Sequence, residues 1–194
     1  MATLSTGEVF DGAKSYKKLE SKLSRLQYLN LNRHKTKFSN NWRAVQLKIA
    51  FVNNRIANIR KDTLHKLTTY LAKNHSQIVI EDLNVSGMMS NHNLAKAVAD
   101  MGFYEFRRQL EYKCQLYGSK LIVVDRWFPS SKTCSRCGQV KPSLSLSERV
   151  FNCEYCGFSC VRDLNASLNL AMAVSSTVTA CGLDNADVAR RKQE

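Results

Sequence analysis

Two copies of the pattern Cys-x-x-Cys-Gly are the residues of this sequence best suited to metal chemistry. They are CSRCG at 134–138 and CEYCG at 153–157, and fifteen residues separate Cys137 from Cys153. Two thiolates three positions apart in a tight turn can face one ion, and the glycine lets the backbone turn back. Two such turns would close a tetrahedral site with no position left for water. The spacing therefore predicts a structural zinc ion, Zn²⁺, bound by Cys134, Cys137, Cys153 and Cys156.

Three further cysteines lie outside these two patterns. Cys160 is an alternative ligand but lacks the knuckle form, and Cys114 sits in a predicted helix, where a free cysteine usually serves packing. Cys181 lies in a polar C-terminal segment and has no assigned role. Because no secretory signal accompanies the seven cysteines, their spacing favours metal binding over a disulfide framework.

Three carboxylates occupy positions where a metal or an attacking water could be held. Glu81 and Asp82 end the apolar run QIVI, and catalytic groups of α/β sheets collect at the carboxyl ends of strands. Because successive strand side chains point to opposite faces, at most one of the two faces a given site. Asp163 stands at the start of a predicted helix. These acids also fit a solvated strand end and a helix N-cap, so the residue pattern alone leaves both alternatives open.

Positive charge is concentrated in one segment. The formal net charge is +13, and residues 14–73 hold 15 Lys or Arg with only Glu20 and Asp62 as acids. A solvated helix face usually carries both signs, so the near absence of one sign favours a polyanionic partner, DNA or RNA. The candidate contacts on this segment are Lys17, Lys18, Lys22, Arg25, Arg33, Lys35, Lys37 and Arg43.

Three residues ahead of the first cysteine pattern are further candidates for nucleic-acid contact. Arg126 and Lys132 are cations, and Trp127 is an aromatic suited to stacking on a base. Trp127 fits a position in the hydrophobic core equally well.

The elements that must position these residues are indicated by the spacing of apolar side chains. ATLSTGEVF predicts a tight β-hairpin turning at Thr6–Gly7. Apolar positions three and four apart predict two long antiparallel helices, a basic helical hairpin over 14–74, with Ser39 or Asn40 capping the second helix. QIVIE and SKLIVV are continuous apolar runs, which predict strands buried on both faces. Between them lies a helix ending at Gly118, so the order is that of a βαβ unit.

The composition excludes several classes of protein. A hydrophobic fraction of 44% is that of a globular protein and not of a disordered one. The first residues, MATLSTGEVF, lack the basic and apolar regions of a signal peptide. The longest apolar runs, such as LIVV, are too short to span a bilayer. These features predict a cytoplasmic protein without a membrane partner.

Three motifs occur in order along the chain: IVIEDLNVSGM, VDRWFPSSKTCSRCG and CEYCGFSCVRDLNASLNLA. Together they resemble the C-terminal half of the insertion-sequence-encoded TnpB (OrfB) proteins, transposon-associated relatives of compact RNA-guided nucleases. The resemblance implies an α/β fold of the RNase H-like, RuvC type, in which a zinc ribbon is inserted before the last helix. It also implies that Glu81 and Asp163 are two of three carboxylates that hold Mg²⁺ for phosphodiester hydrolysis. The implied partners are DNA and a guide RNA.

The sequence departs from the family pattern at two places. Val161 stands where members often have an acid. The first carboxylate of the family lies on a strand just before the ATLSTGEVF hairpin, in a segment resembling Gly-Ile-Asp-Leu-Gly, and this chain begins at Met1, after that point. The resemblance therefore implies a mixed sheet lacking its first strand and a chain that is catalytically incomplete.

The implied organisation is a partial RuvC-like domain over 1–129, a zinc ribbon over 130–160, a final RuvC-like helix over 161–175 and a polar tail over 176–194. The expected function is that of a fragment of a TnpB-like, RNA-guided DNA endonuclease. The alternative is a non-catalytic zinc-ribbon protein that binds nucleic acid as an accessory or regulator of the element. A general zinc-ribbon protein of transcription or translation would explain the cysteines and the charge but not the two acidic motifs.

Overall fold

The computed structural model describes residues 2–33, 37–145 and 147–180, without the side chains of Arg33 and of 175–180. Lys35 and Cys181 therefore lie outside the described residues. The chain divides into two compact units. The first comprises Asp11–Ser76 and Asn84–Ser119, and the second comprises Ala2–Phe10, Gln77–Leu83 and the described residues from Lys120 onward.

The first unit is helical. Its helices are α1 Ser15–Tyr28, α2 Asn40–Asn74, α3 Val85–Met89, α4 His92–Met101 and α5 Phe103–Tyr117, and one π-helical turn, Leu29–Arg33, extends α1. The 35 residues of α2 make a rod of about 50 Å at 1.5 Å per residue. One part of this rod packs against α1 and another against α5.

The pairing of α1 with α2 confirms the predicted basic helical hairpin. Leu23, Val52 and Ile56 form its buried core, and half-buried Tyr16, Leu19, Leu26 and Ile49 pack around them. Ser39 caps α2, because its Oγ accepts a hydrogen bond from the backbone N–H of Trp42 at 3.3 Å. The 3–4 apolar spacing predicted these contacts because it places one stripe of each helix against the other.

An acid from another helix caps α1. Lys14 precedes the helix with a left-handed φ of 48° and makes no side-chain cap. Instead Asp100 of α4 accepts hydrogen bonds from the Ser15 hydroxyl at 2.5 Å and from the Tyr16 N–H at 3.1 Å. A carboxylate at this end also interacts favourably with the helix dipole. The cap ties α4 to the start of the basic hairpin.

Helices α3 and α4 are not among the elements that the sequence predicts between QIVIE and SKLIVV, where it indicates a single helix ending at Gly118. Their N-caps are asparagines: Asn84 accepts from the Gly87 N–H at 3.0 Å, and Asn91 accepts from the Asn93 N–H at 3.1 Å. Asparagine is a preferred N-cap residue, so these positions were the signal that could have revealed both helices.

In its described residues, the second unit contains six short strands and one helix. The strands are β1 Ala2–Thr3, β2 Val9–Phe10, β3 Gln77–Glu81, β4 Lys120–Val124, β5 Val150–Asn152 and β6 Ser159–Val161, and the helix is α6 Arg162–Ala180. The pairs β1–β2 and β5–β6 are antiparallel, whereas β3–β4 is parallel. Helix α6 contacts β1 and both strands of the parallel pair. The chain is thus a mixed α/β protein with long helices and small sheets.

The predicted hairpin at Thr6–Gly7 and the predicted parallel β3–β4 pair are both confirmed. The expectation that β3 and β4 are buried on both faces is wrong. Ile78 is buried, but Val123 is 37% exposed, so the described residues leave that face of β4 partly uncovered. Likewise, among residues 2–33, 37–145 and 147–180, the strands form three separate two-stranded sheets rather than one mixed sheet.

Helix α6 begins at Arg162 and continues to Ala180. Its last residues, STVTA, carry no glycine or proline to end a helix. The domain boundaries stay predictions. Within the described parts of the chain, no helix combines the length and the apolar character needed to span a bilayer.

Candidate metal centre and carboxylate residues

The two cysteine patterns form two turns of the same construction. The Gly138 N–H donates to the Cys134 carbonyl at 2.8 Å, and the Gly157 N–H donates to the Cys153 carbonyl at 3.1 Å. Both glycines have a left-handed φ, 76° and 68° respectively, which residues with a Cβ rarely adopt. Each turn thereby places the two sulfurs of its pattern on one side of the backbone.

The four predicted cysteines converge. Their sulfur atoms all lie within 4.8 Å of one another. The Cys134 and Cys156 sulfurs are 3.7 Å apart, and the Cys137 and Cys153 sulfurs are 3.6 Å apart. A tetrahedron of Zn–S bonds of about 2.3 Å has edges of about 3.8 Å. The described sulfurs therefore fit a four-coordinate metal ion such as zinc.

The protonation of this sulfur cluster also suits a divalent cation. The pKa of the Cys153 thiol is lowered to about 6, chiefly by the backbone N–H of Cys156. The pKa of Cys137 is raised to about 12: the N–H of Gln139 favours its thiolate, but desolvation and the neighbouring sulfurs outweigh that effect. The Cys153 thiolate therefore forms readily, whereas the Cys137 thiolate is disfavoured unless a cation binds beside it.

A small core holds the metal ligands in place. Phe151 of β5 is fully buried, and Cys134, Cys153, Cys156 and Phe158 pack around it. Cys160 lies opposite Phe151 in the β5–β6 pair and is not part of the group of four. Because Cys160 lies outside that group, the geometry does not support it as a substitute ligand. Cys114 is buried, in agreement with the predicted packing role.

Residues 130–161, here called the cysteine module, are joined to α6 by two asparagines. Asn165 and Asn169 are 0% and 4% exposed. The Asn165 amide donates to the Thr133 carbonyl at 2.6 Å and accepts from the Ser135 N–H at 2.9 Å. Asn169 donates to the carbonyls of Ser130 and Thr133 at 2.7 and 2.6 Å. The start of the module is therefore fastened to the helix that carries Asp163.

Glu81 and Asp82 face different partners, as the alternation of a strand predicts. Glu81 accepts a hydrogen bond from the Ser130 hydroxyl. Asp82 instead forms an ion pair with Arg126, whose Nε lies 3.1 Å from the carboxylate. Both acids are half-buried. Glu81 is thus directed toward the cysteine module, and Arg126, a predicted nucleic-acid contact, is engaged by an acid.

Asp163 lies in the first turn of α6, and its side chain is 57% exposed. Arg162 approaches one of its oxygens at 3.4 Å. Since α6 packs against β3, the structure brings the elements that carry Glu81 and Asp163 into contact. Within the described residues, however, the only group of three or more His, Cys, Asp or Glu side chains close enough to share an ion is the cysteine quartet. A three-carboxylate site is not formed there.

The candidate contacts of the basic hairpin are on its surface where they are described. Six side chains are exposed: Lys17, Lys18, Lys22, Arg25, Lys37 and Arg43. In the second unit Trp127 is 83% exposed, which rules out the alternative that it fills the core. Lys132 is half-buried and approaches the Pro142 carbonyl at 3.4 Å.

Ser130, Asn165 and Asn169 are the residues of this region that sequence reasoning missed. The signal was present in the last motif, where DLNASLN repeats asparagine four positions apart and so places both amides on one helix face. A polar pair on a face that must pack against another element requires hydrogen-bond partners.

The fold and site together define a mixed α/β protein in which a module with four cysteines, able to hold a metal ion, precedes the last described helix. A cryo-EM structure of a Cas12f1–sgRNA–target DNA complex has a similar fold, with a TM-score of 0.52, 21% identity, and coverage of 78% of this chain and 42% of that chain. Residues 103–170 match the family profile described as "Cas12f1-like, TNB domain", and residues 1–92 match the OrfB profile described as "Probable transposase".

The chain belongs to the OrfB, or TnpB-like, family. It is 42% identical to a protein of Streptomyces pristinaespiralis named "Putative RNA-guided DNA endonuclease", over 94% of this chain and 44% of the relative. It is 40% identical to "Putative RNA-guided DNA endonuclease InsQ" of Escherichia coli (strain K12), over 94% of this chain and 48% of the relative. The chain therefore spans about half the length of the curated relatives it matches.

Proposed function

We propose that this chain is the C-terminal part of a TnpB-like, RNA-guided DNA endonuclease of a transposable element, with an RNase H-like, RuvC-type fold. In this proposal Glu81 and Asp163 are two of the carboxylates that hold Mg²⁺. The observation that carries it is the packing of α6 on β3, which sets the helix bearing Asp163 against the strand ending at Glu81. The similarity to proteins named as RNA-guided DNA endonucleases over 94% of the chain supports it.

The donor atoms support Mg²⁺ as the ion, because this cation takes oxygen ligands such as carboxylates. When bound, Mg²⁺ would activate a water and stabilise the leaving oxygen of a phosphodiester. Glu81 and Asp163 would hold the ion, and the Ser130 hydroxyl would fix the orientation of Glu81. The cysteine module would act as a zinc ribbon of structural role, since four sulfur ligands leave no open position.

The two acids need a third carboxylate to complete such a site. The pairs β1–β2 and β3–β4 are not hydrogen-bonded to each other in the described part of the chain, yet α6 contacts both pairs. We propose that a strand carrying the third carboxylate belongs between them. The two carboxylates Glu81 and Asp163 would then form only part of the catalytic site.

This incompleteness predicts that the 194-residue chain by itself shows no Mg²⁺-dependent cleavage of DNA above background. The physical reason is that two carboxylates cannot hold two metal ions in place for in-line displacement. The measurement is incubation of labelled single-stranded and duplex DNA with the purified chain and Mg²⁺. Strong cleavage that disappears in Asp163→Ala would show that the chain is a complete nuclease and would overturn the proposal of a missing carboxylate.

The second candidate is a non-catalytic protein that binds nucleic acid through its basic hairpin and cysteine module. The observation that favours it is the lack of a three-carboxylate group among residues 2–33, 37–145 and 147–180. The exposed Trp127 and the exposed cations of α1 suit binding with or without cleavage. Similarity to endonucleases along nearly the whole chain supports the first candidate over this one.

Both candidates predict that exposed cations of α1 contact phosphates. Lys18→Gln/Lys22→Gln is expected to weaken binding of duplex DNA and to reduce the slope of log K against log salt by about one for each cation removed. The measurement is a fluorescence-anisotropy titration at several salt concentrations. The matched control is Lys96→Gln/Lys120→Gln, which removes the same charge from exposed positions outside the basic hairpin and the cysteine module. Equal loss in both variants would mean that net charge alone, and not the basic hairpin, determines binding.

A further inference from the structure

A series of hydrogen-bonded, buried polar side chains connects the first cysteine turn with the carboxylate of Glu81. Its members Ser130, Asn165 and Asn169 are 4%, 0% and 4% exposed. A buried polar group that loses its partner is destabilising, so these hydrogen bonds fix the relative positions of the groups they join.

The first part of this hydrogen-bonded series holds the backbone around Cys134 in place. Thr133 and Ser135, the residues on either side of this metal ligand, are both hydrogen-bonded to Asn165. Asn169, one turn further along α6, donates to the Thr133 carbonyl as well. Because Cys134 lies between two anchored residues, its backbone cannot shift without breaking a contact to α6.

The second half reaches Glu81 through Ser130. The Ser130 carbonyl accepts from the same Asn169 amide that binds Thr133, and the Ser130 hydroxyl donates to the Glu81 carboxylate. Asn169 therefore holds the cysteine turn and the serine at once. Ser130 thereby links Asn169 to the end of β3 by hydrogen bonds.

We propose that Ser130 is a positioning residue for Glu81, and that Asn165, Asn169 and Ser130 couple metal binding at the four cysteines to the conformation of the β3 strand end. The catalytic role of Glu81 rests on the proposed function, whereas the coupling itself does not. In this arrangement the cysteine module is more than a stabilising element, because loading its metal orders the carboxylate that would hold Mg²⁺.

The test is hydrogen–deuterium exchange of the full chain, with zinc bound and after its removal by a chelator. In the wild-type chain, removal is expected to speed exchange both at residues 130–137 and at residues 77–83. In Ser130→Ala the response at 130–137 is expected to remain, while exchange at 77–83 is already fast with zinc bound and no longer depends on it. Asn169→Asp cannot donate to the carbonyls of Ser130 and Thr133. With zinc bound, it is expected to speed exchange at 77–83 more than Ser130→Ala does.

Ser131→Ala is the matched control, because it makes the same change at the neighbouring residue, outside the hydrogen-bonded series. This variant is expected to show the wild-type exchange pattern. A wild-type response at 77–83 in Ser130→Ala, or no response there in the wild-type chain, would overturn the coupling. A second readout separates this result from the proposed function. Mn²⁺, used in place of Mg²⁺, is expected to bind the wild-type chain weakly and about tenfold more weakly in Ser130→Ala. If the wild-type chain binds no Mn²⁺, the role of Glu81 fails while the exchange data still decide the coupling.

Discussion

Replacement of Cys134 by serine is expected to remove the bound zinc ion and to unfold the cysteine module. Structural zinc sites contribute about 10–16 kcal/mol of apparent binding free energy, which is comparable to or larger than the whole stability of a domain, about 5–15 kcal/mol. The module has little else to stabilise it, because its described core is the single fully buried Phe151 surrounded largely by the metal ligands. The measurement is zinc content per chain, by elemental analysis, together with proteolysis of residues 130–161.

Cys160→Ser is the matched control for this prediction. Cys160 lies in the same module but outside the group of four sulfur atoms, so the variant is expected to keep one zinc per chain and to resist proteolysis. Loss of zinc from Cys160→Ser, or its retention in Cys134→Ser, would mean that the ligand set is not Cys134, Cys137, Cys153 and Cys156.

The second large effect concerns the carboxylate pair, Glu81 and Asp163. A chimera that joins the N-terminal half of the Streptomyces relative to this chain is expected to cleave guide-directed DNA in the presence of Mg²⁺. Glu81→Gln and Asp163→Asn are each expected to lower the rate of that chimera by at least about 10³-fold, because metal ions contribute several kcal/mol to stabilising the transition state. The measurement is the single-turnover rate of cleavage.

Asp82→Asn is the control for Glu81→Gln, because it removes a carboxylate charge from the neighbouring residue at the end of β3. Asp82 pairs with Arg126 instead of facing Ser130, so its replacement is expected to leave the cleavage rate of the chimera within about tenfold of the parent. The intact relative serves as the positive control for guide RNA and target. If the chimera cleaves and Asp163→Asn cleaves equally fast, Asp163 is not a metal ligand and the proposed assignment is wrong.

The convergence of the four cysteines was predictable from sequence because the chemistry of the two patterns is local. Two thiolates and a glycine within five residues determine a turn, and the same pattern repeated after a short interval can satisfy only one tetrahedral ion. The helical hairpin was predictable for a similar reason, since the spacing of Leu19, Leu23 and Leu26 requires one apolar face. In both cases the residues that determine the structure are neighbours in the sequence.

The parts that sequence reasoning missed depend on contacts between distant residues. The apolar composition of β3 and β4 predicted burial on both faces, but burial depends on what covers a strand, and Val123 remains exposed. Asp100 caps a helix that begins 85 residues earlier in the chain, a contact that no local pattern encodes. The hydrogen bond between Ser130 and Glu81 joins residues 49 positions apart. Such pairs become visible only when the fold brings them together.

The family resemblance connected two residues that are distant in the sequence, Glu81 and Asp163. Taken alone, Glu81 and Asp163 fitted a strand end and a helix start, and no spacing rule connected them. The structure adds the contact between α6 and β3 and the exposure of Asp163, and the function of the two acids remains a proposal.

The most direct test of the central claim is a titration of this chain with Mn²⁺, followed by the electron paramagnetic resonance signal of the free ion. If Glu81 and Asp163 form part of a metal site, the chain binds one Mn²⁺ weakly, and Glu81→Gln and Asp163→Asn each abolish that binding while Asp82→Asn leaves it intact. Zinc content must stay at one per chain in all four proteins. Mn²⁺ binding that is unchanged in Glu81→Gln and Asp163→Asn would contradict the account and leave nucleic-acid binding as the activity of this chain.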